Sequence, residues 1–190
     1  MSLSSNLPTN REWLRRILSG QPHQVIGDAD NPYLLRWYVI PRNPLFNVYL
    51  HKFLRDDDDR ALHDHPWWFI SLILRGGYVE VKETDDGNLT MQTRTAPFAR
   101  NSTRSWRRRG IAYRPAKHRH RVALEHGRDD AGRVSSTAPR VPCWTLIITG
   151  PRTREWGFWC PQSSKFLDRR LGKRFVPWRD FGAAGCGEVA

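Results

Sequence analysis

The sequence predicts an all-β chain folded as one small barrel. Three observations predict it. Short strand-like runs with two-residue alternation recur along the chain and are separated by Pro, Gly and Asp-rich turns. Two of these runs, residues 62–80 (LHDHPWWFISLILRGGYVE) and residues 113–124 (YRPAKHRHRVAL), each carry two histidines one residue apart. About fifty residues separate the pairs, and a barrel is the architecture that converges inward positions of distant strands on one interior. Finally, 190 residues with 39% apolar content and nine Trp suffice for a single real core.

Taken in order, residues 1–8 read as a loose tail. Thr9 and Glu12 have capping-box spacing, and Trp13, Leu14, Ile17 and Leu18 follow at helical intervals until Gly20 and Pro22 end the pattern. One short helix on the outside of the barrel is expected. Residues 34–40 (LLRWYVI) and 45–54 (LFNVYLHKFL) are strands divided by Pro41 and Pro44, with Asn47, Tyr49, His51 and Phe53 sharing a face. Asp56 to Asp59 reads as a solvated turn, since four adjacent carboxylates do not all reach one ion, though one of them is placed to orient a histidine. Residues 62–74 read as one continuous strand that closes on Gly76-Gly77. Residues 78–83 and 89–95 form a hairpin around Asp85-Asp86-Gly87-Asn88. Residues 96–110 are an irregular Arg-rich connection containing Trp106. Residues 127–142 are a polar surface loop, 143–149 (CWTLIIT) a buried-type strand, and 155–159 the last strand. Residues 165–171 suit a short helix, Phe175, Trp178 and Phe181 are aromatic anchors of the tail, and the final residues are expected to be disordered. The organisation is thus a tail and helix over 1–22, a barrel over 33–160, and an extension over 161–190 packed on it.

Within residues 62–74 the alternation puts His63, His65, Trp67, Phe69, Ser71 and Ile73 on one face, and Asp64 on the other. In the second stretch His120, Val122 and Leu124 share a face, and His118 has the same parity. Two imidazoles beside apolar neighbours make half of a metal site. The alternative is a strand junction with two polar rings. His51 reads as a hydrogen-bonded neighbour more than as a ligand. Glu80 and Glu83 are the nearest strand carboxylates; they lie on opposite faces, so at most one of them serves the site.

These two stretches resemble the two motifs of the cupin superfamily. In the first, His63, His65 and Gly76 match, while the slot of the family's Glu ligand holds Phe69. In the second, Pro115 and His120 match, while the Gly slot holds Lys117 and the Asn slot Leu124. The resemblance covers about residues 35 to 160. It implies a double-stranded β-helix, or jelly-roll, barrel of the RmlC-like kind. It also implies one divalent transition metal on His63, His65 and His120, with Fe(II) first and Zn, Ni or Mn as alternatives. His118, His51 and Glu80 are then alternative ligands or groups behind the ligands; Trp67, Phe69 and Ser71 line the pocket; and Arg36 and Arg75 are candidate clamps for an anion.

Composition narrows the remaining classes. No apolar run approaches the ~20 residues of a membrane span, and the N-terminus has no signal-peptide pattern. Three widely spaced cysteines, Cys143, Cys160 and Cys186, predict reduced thiols and a cytoplasmic setting. The net charge of +12 comes from 26 Arg and 5 Lys scattered along the chain; its one dense cluster, residues 104–121, includes a strand with a solvent face. Nucleic acid is therefore not the expected partner, and an anionic small molecule is. The leading expectation is a mononuclear metal-dependent dioxygenase acting on a small anionic or aromatic acid. The alternatives are a non-catalytic ligand- or metal-binding module and an isomerase or epimerase on the same pocket. Pairing into a homodimer is expected from the apolar surface that such a barrel leaves.

Overall fold

The structure is a computed structural model that describes residues 9–28, 30–57, 61–84, 88–96, 110–129, 131, 133–161, 173–181 and 185–186. The order of elements is α1 (Asn10–Ser19), β1 (Gln24–Gly27), β2 (Pro32–Tyr38), β3 (Asn47–Phe53), β4 (Leu62–His63), β5 (Phe69–Arg75), β6 (Gly77–Glu83), β7 (Leu89–Thr95), β8 (Ile111–Arg114), β9 (His120–Leu124), β10 (Cys143–Thr149), β11 (Gly157–Pro161), β12 (Lys173–Pro177) and a single turn, α2 (Trp178–Phe181).

The strands form two six-stranded sheets, β1-β2-β3-β10-β5-β8 and β12-β11-β4-β9-β6-β7, with every pairing antiparallel. Strands β3 to β10 alone, ordered 3-10-5-8 and 4-9-6-7, are an eight-stranded jelly roll. The all-β double-stranded β-helix with one N-terminal helix is therefore what the chain forms. The strands of the first sheet bury alternate residues: Asn47, Tyr49 and His51 in β3, Phe69, Ser71 and Ile73 in β5, Cys143, Thr145, Ile147 and Thr149 in β10. Strand β9 of the second sheet buries His120, Val122 and Leu124 against them.

Helix α1 starts where its cap dictates. The Thr9 hydroxyl accepts from the Glu12 amide at 3.3 Å and the Glu12 carboxylate accepts from the Thr9 amide at 2.8 Å. Gly20 ends it in the left-handed region at φ 70°. The Trp13 indole donates to the Tyr38 carbonyl at 2.7 Å and pins the helix to the end of β2.

Three expectations about the strands change. Residues 62–74 are not one strand: β4 belongs to one sheet and β5 to the other. Pro66, which has no amide to donate, stands where the chain crosses over, and the crossing is held by Gly150 N donating to Trp68 O at 3.0 Å and Thr153 N to Pro66 O at 2.8 Å. Gly150 is required there, because a Cβ would lie 2.2 Å from the Trp68 indole nitrogen. Strand β1 is unannounced by the sequence; it is four residues long and is held by pairing with β2. The strands also do not end at Trp159, since β12 pairs along the whole of β11.

The expectation of three reduced thiols is corrected as well. Cys160 and Cys186 are disulfide-bonded and Cys143 is free and buried. That bond removes the cysteine argument for a reducing compartment, and it ties down Cys186 within a tail expected to be loose. Of the tail's aromatic anchors, Phe181 stacks on Phe158 at 3.6 Å, Trp178 on Trp156 at 5.8 Å, and Phe175 packs on Trp159 at 5.4 Å. No helix among the described residues is long and apolar enough to cross a membrane. The N-terminal tail, Asp58, Asp59, the tip of the 85–88 turn, the Arg-rich connection with Trp106, the helix expected at 165–171 and most of the last residues lie outside the described residues.

Candidate metal centre

The register of β4 against β9 sets His63 directly opposite His120. Two carboxylates fix that register from outside. Asp57 accepts from the Val122 amide at 2.7 Å, and Asp56 accepts from the Leu124 amide at 2.6 Å while pairing with Arg140 at 2.5 Å. Asp57 also lies 3.7 Å from His63 Nδ1, close enough to attract the ring but too far for a hydrogen bond. His65 is carried in by the crossover, with its amide donating to Ala116 O at 3.2 Å. Asp64, wholly buried between the two histidines, points away from them. It accepts from Arg154 at 2.5 Å, from the Trp159 indole at 2.9 Å and from the Gly157 amide at 3.1 Å. The backbone between the two ligand candidates is thereby locked.

The three rings converge, with centroids 4.9 Å apart for His63–His120 and 5.1 Å for His63–His65 and His65–His120. One nitrogen from each lies within 4.8 Å of the others, and His65 Nε2 and His120 Nε2 are 2.9 Å apart. A metal held at about 2.0–2.1 Å by imidazoles needs nitrogens roughly 3–4 Å apart, so this donor set fits one divalent ion. Burial and then the neighbouring histidines hold the His65 ring well below the usual imidazole range. Burial likewise brings His120 down to about 4, against an opposing hydrogen bond to Glu80. Both are therefore neutral at neutral pH, the state in which imidazole binds a metal.

Behind His120 stands Glu80, 1% exposed. Its Oε1 is 2.9 Å from His120 Nδ1, 3.1 Å from His118 Nε2 and 2.8 Å from Arg114 Nε; its Oε2 pairs with the other end of the Arg114 fork, and Arg94 lies 3.7 Å away. Burial pushes the Glu80 carboxyl up, but the hydrogen bonds from His118, His120 and Arg114 outweigh it and hold the group far below the carboxylate range. Accepting a hydrogen bond from His120 Nδ1–H, Glu80 fixes the tautomer that leaves Nε2 free to ligate.

Glu80, His118 and His120 form a second convergent set. It shares His120 with the first, through the opposite ring nitrogen. An Arg fork already occupies the Glu80 carboxylate and a second Arg approaches it, so that set holds its cations as side chains. The three-histidine set is the better metal site.

Opposite the histidines, Phe69 packs on His65 at 4.6 Å and on His120 at 6.0 Å. Trp67 packs against the buried group of Tyr38, Tyr49, Phe69 and Ile147. Ser71 is buried deeper along β5, hydrogen-bonded to Tyr78. His51 accepts from Arg36 Nε at 2.8 Å, and burial followed by that guanidinium holds it well below the imidazole range. Arg36 also donates to Gln24 at 3.1 Å, lies over the Tyr49 ring at 5.0 Å, and is near enough to His65 to disfavour its protonation. Arg75 is not brought to the site. It is exposed at the far end of β5, six residues or about 20 Å from Phe69. Glu83 faces away and pairs with Arg119 and Lys173.

Sequence reasoning missed Arg94 and Arg114; it placed Asp64 correctly off the histidine face, without the partners that the structure gives it there. The one available signal was parity: in β8, Arg114 shares a face with the buried Ala112, and a cation on an inward face needs an anion beside it.

No family model matches the chain, and no curated protein matches it. Among solved structures, the chain is similar to an oxalate oxidase in complex with the substrate analogue glycolate (TM-score 0.45, 10% identity, covering 83% of this chain and 68% of that one). It is also similar to an oxalate decarboxylase variant from Bacillus subtilis (TM-score 0.43, 11% identity, 70% of this chain and 28% of that one). A third is an RmlC-like cupin family protein with a double-stranded β-helix fold from Methanocaldococcus jannaschii (TM-score 0.39, 8% identity, 68% of this chain and 90% of that one). The chain spans 60% of a recombinant oxalate oxidase and 28% of the decarboxylase. A likeness of this size carries neither activity nor substrate across.

Proposed function

We propose that this protein is a mononuclear metal-dependent enzyme of the oxygenase type, with His63, His65 and His120 holding one divalent transition ion and a small anionic or aromatic acid as substrate. The observation that supports it most is the convergence of three imidazoles with no carboxylate among them. A divalent ion on such a set, Fe(II) before Zn, Ni or Mn, supplies Lewis acidity at exchangeable positions and, if it is iron, redox chemistry.

The chain's own residues do the rest. Glu80 holds the Nδ1 proton of His120 and so keeps Nε2 directed at the centre. Phe69, Trp67 and Tyr49 exclude water from the side facing His65. A neutral ligand set leaves the ion's charge uncompensated, and Arg36 adds a further positive charge nearby; both favour an anionic substrate. The oxygenase reading is preferred to an isomerase because the two histidines suited to general-base work are already committed, His51 to Arg36 and His118 to Glu80.

One observation favours a second reading, a binding module without chemistry: Phe69, which stands in the motif slot where the resembled sequences carry a carboxylate, packs directly on His65. Metal content of the purified chain by plasma mass spectrometry, followed by oxygen uptake over a panel of small acids, separates the two. Stoichiometric iron that is absent from a His63→Ala/His65→Ala/His120→Ala variant, with acid-dependent oxygen uptake, is the expected result. Metal or ligand binding without turnover in any metal form supports the module. No metal after reconstitution refutes the centre.

A further inference from the structure

Two apolar protrusions stand at one end of the barrel, and the core accounts for neither. The first is the turn between β2 and β3. Asn43 builds it: its side-chain oxygen accepts from the Leu45 amide at 3.0 Å and from the Phe46 amide at 3.1 Å. Asn47 braces it from below, accepting from the Asn43 amide at 3.1 Å and donating to the Asn43 carbonyl at 2.9 Å. Pro41 and Pro44 stiffen the same segment. The backbone of the turn is thus satisfied by two asparagines, and its shape does not require apolar residues at the tip. Yet Leu45 and Phe46 stand there, 71% and 48% exposed. The second protrusion is α1. At 3.6 residues per turn, Trp13, Leu14, Ile17 and Leu18 make an apolar stripe about 140° wide. Only one side of it is seated: Trp13 and Ile17 are half-buried. The other side, Leu14 and Leu18, is 46% and 77% exposed and borders on Arg11 and Arg15. The helix is fastened where β2 enters the turn. Trp13 bonds to the Tyr38 carbonyl, and His23 accepts from the Tyr38 amide while donating to the Trp13 carbonyl, each at 3.2 Å.

We propose that this end of the barrel docks on an anionic lipid surface, with Leu45 and Phe46 entering the boundary between headgroups and acyl chains and the neighbouring arginines meeting lipid phosphates. Charge and shape together select that occupant. Arg11, Arg15 and Arg16 on the helix and Arg42 in the turn are all exposed. The single carboxylate of these two segments, Glu12, is engaged in its own cap with Thr9. The surface therefore pairs protruding apolar side chains with cations, the combination that binds a membrane interface, and the chain's net charge of +12 adds attraction at longer range. Shape separates a bilayer from other anions. The apolar side chains stand out from a turn tip and from the flank of a helix. A nucleic acid would answer the arginines and leave Leu45 and Leu18 in water. An acidic protein would have to carry a matching hollow for each protrusion, whereas a bilayer yields around them. A second copy of the chain would set arginine against arginine. The contact is peripheral, since no helix among the described residues is long and apolar enough to cross a membrane.

Co-sedimentation of the full chain with vesicles tests this. Binding is expected to phosphatidylcholine vesicles containing one-third phosphatidylglycerol, to fall as salt is added, and to be absent from phosphatidylcholine alone. A Leu45→Ser/Phe46→Ser variant, with an unchanged far-ultraviolet circular dichroism spectrum, is expected to bind at least about tenfold more weakly. Arg11→Gln/Arg15→Gln is expected to weaken binding and flatten its salt dependence. Leu89→Ser/Met91→Ser, at apolar positions 57% and 75% exposed on the other sheet, is expected to bind as the wild type does. A label reads the depth directly. Cys143 is buried and Cys160 and Cys186 are bonded to each other, so a Leu45→Cys variant carries one accessible thiol. A polarity-sensitive fluorophore on it is expected to shift to the blue on the anionic vesicles and to be quenched by lipids brominated in their acyl chains. Absence of binding to the phosphatidylglycerol vesicles, full binding by a folded Leu45→Ser/Phe46→Ser variant, or a label that stays in water while the protein is bound overturns the proposal. So does a preference for DNA or polyglutamate over the vesicles at equal charge.

Discussion

Replacing Glu80 by Gln removes the one anion of a buried cluster that contains Arg94, Arg114, His118 and His120. Arg94 and Arg114 have side chains only 4% and 13% exposed, and Glu80 1%. Gln keeps the shape, but its amide nitrogen accepts no hydrogen bond. At least one of the contacts from His120, His118 or Arg114 is then lost, and two guanidiniums are left without a counter-charge. Breaking a buried pair from one side costs about 3–5 kcal/mol, which for a chain of this length is a fall of roughly 10 °C or more in melting temperature. The centre responds separately. With Glu80 gone, His120 is free to take the other tautomer, and loss of a carboxylate behind a ligand histidine weakens metal binding about 10- to 100-fold. The assays are urea unfolding of the metal-free protein and competitive titration with zinc or ferrous ion. A Glu80→Gln/Arg114→Met double variant is expected to recover part of the stability, because it removes a cation along with the anion, but none of the metal affinity. A Glu80→Gln variant within about 1 kcal/mol of wild type, binding metal equally well, refutes both the electrostatic role and the tautomer argument.

Two further outcomes follow from the same side chains and from the tail. In chelator-treated protein, stability should rise with pH between about 4 and 6.5 and level off above. The folded pKa of His120, about 4, lies below its ordinary value of 6.5, so the unfolded chain binds more protons in that window. His120 alone contributes roughly 3 kcal/mol, His65 and His51 act in the same direction, and below pH 4.5 protonation of the depressed Glu80 in the unfolded chain lowers stability further. Urea melts across pH 4.5 to 7.5 check this, and a flat or falling profile contradicts it. Reducing Cys160–Cys186, which closes a 26-residue separation, should lower stability by about 3 kcal/mol and leave metal stoichiometry unchanged, since the β4–β9 register that sets the histidines does not pass through that bond. Loss of metal on reduction, measured by mass spectrometry after desalting, would show that the tail shapes the centre.

What the sequence discloses of this site, and what it hides, both follow from the alternation rule. In β9 the rule works: His120, Val122 and Leu124 are one face and all are buried. The Thr9–Glu12 cap also works, because capping is a contact between residues three apart and needs nothing from the rest of the fold. The rule fails at Pro66, where parity survives but the strand does not, so that His63 and Phe69 belong to different sheets. Strands β1 and β12 are short and are held by their neighbours rather than by their own patterns. The instructive failure is β6, GYVEVKE. Read by polarity, Val79 and Val81 belong inside and Glu80 outside. The structure buries Val81 to 4% as that reading expects, but it buries Glu80 to 1% as well and leaves Val79 less buried. A buried carboxylate stands only if the charge is answered on every side, and the answers come from four residues on three other strands and a turn: Arg94, Arg114, His120 and His118. No local pattern in β6 encodes them. They become visible only once the register between β6 and β9 sets Lys82 against His120 and Glu80 against Val122, placing the carboxylate beside the ring it orients. The site is therefore most legible where it departs from the pattern that builds the barrel around it.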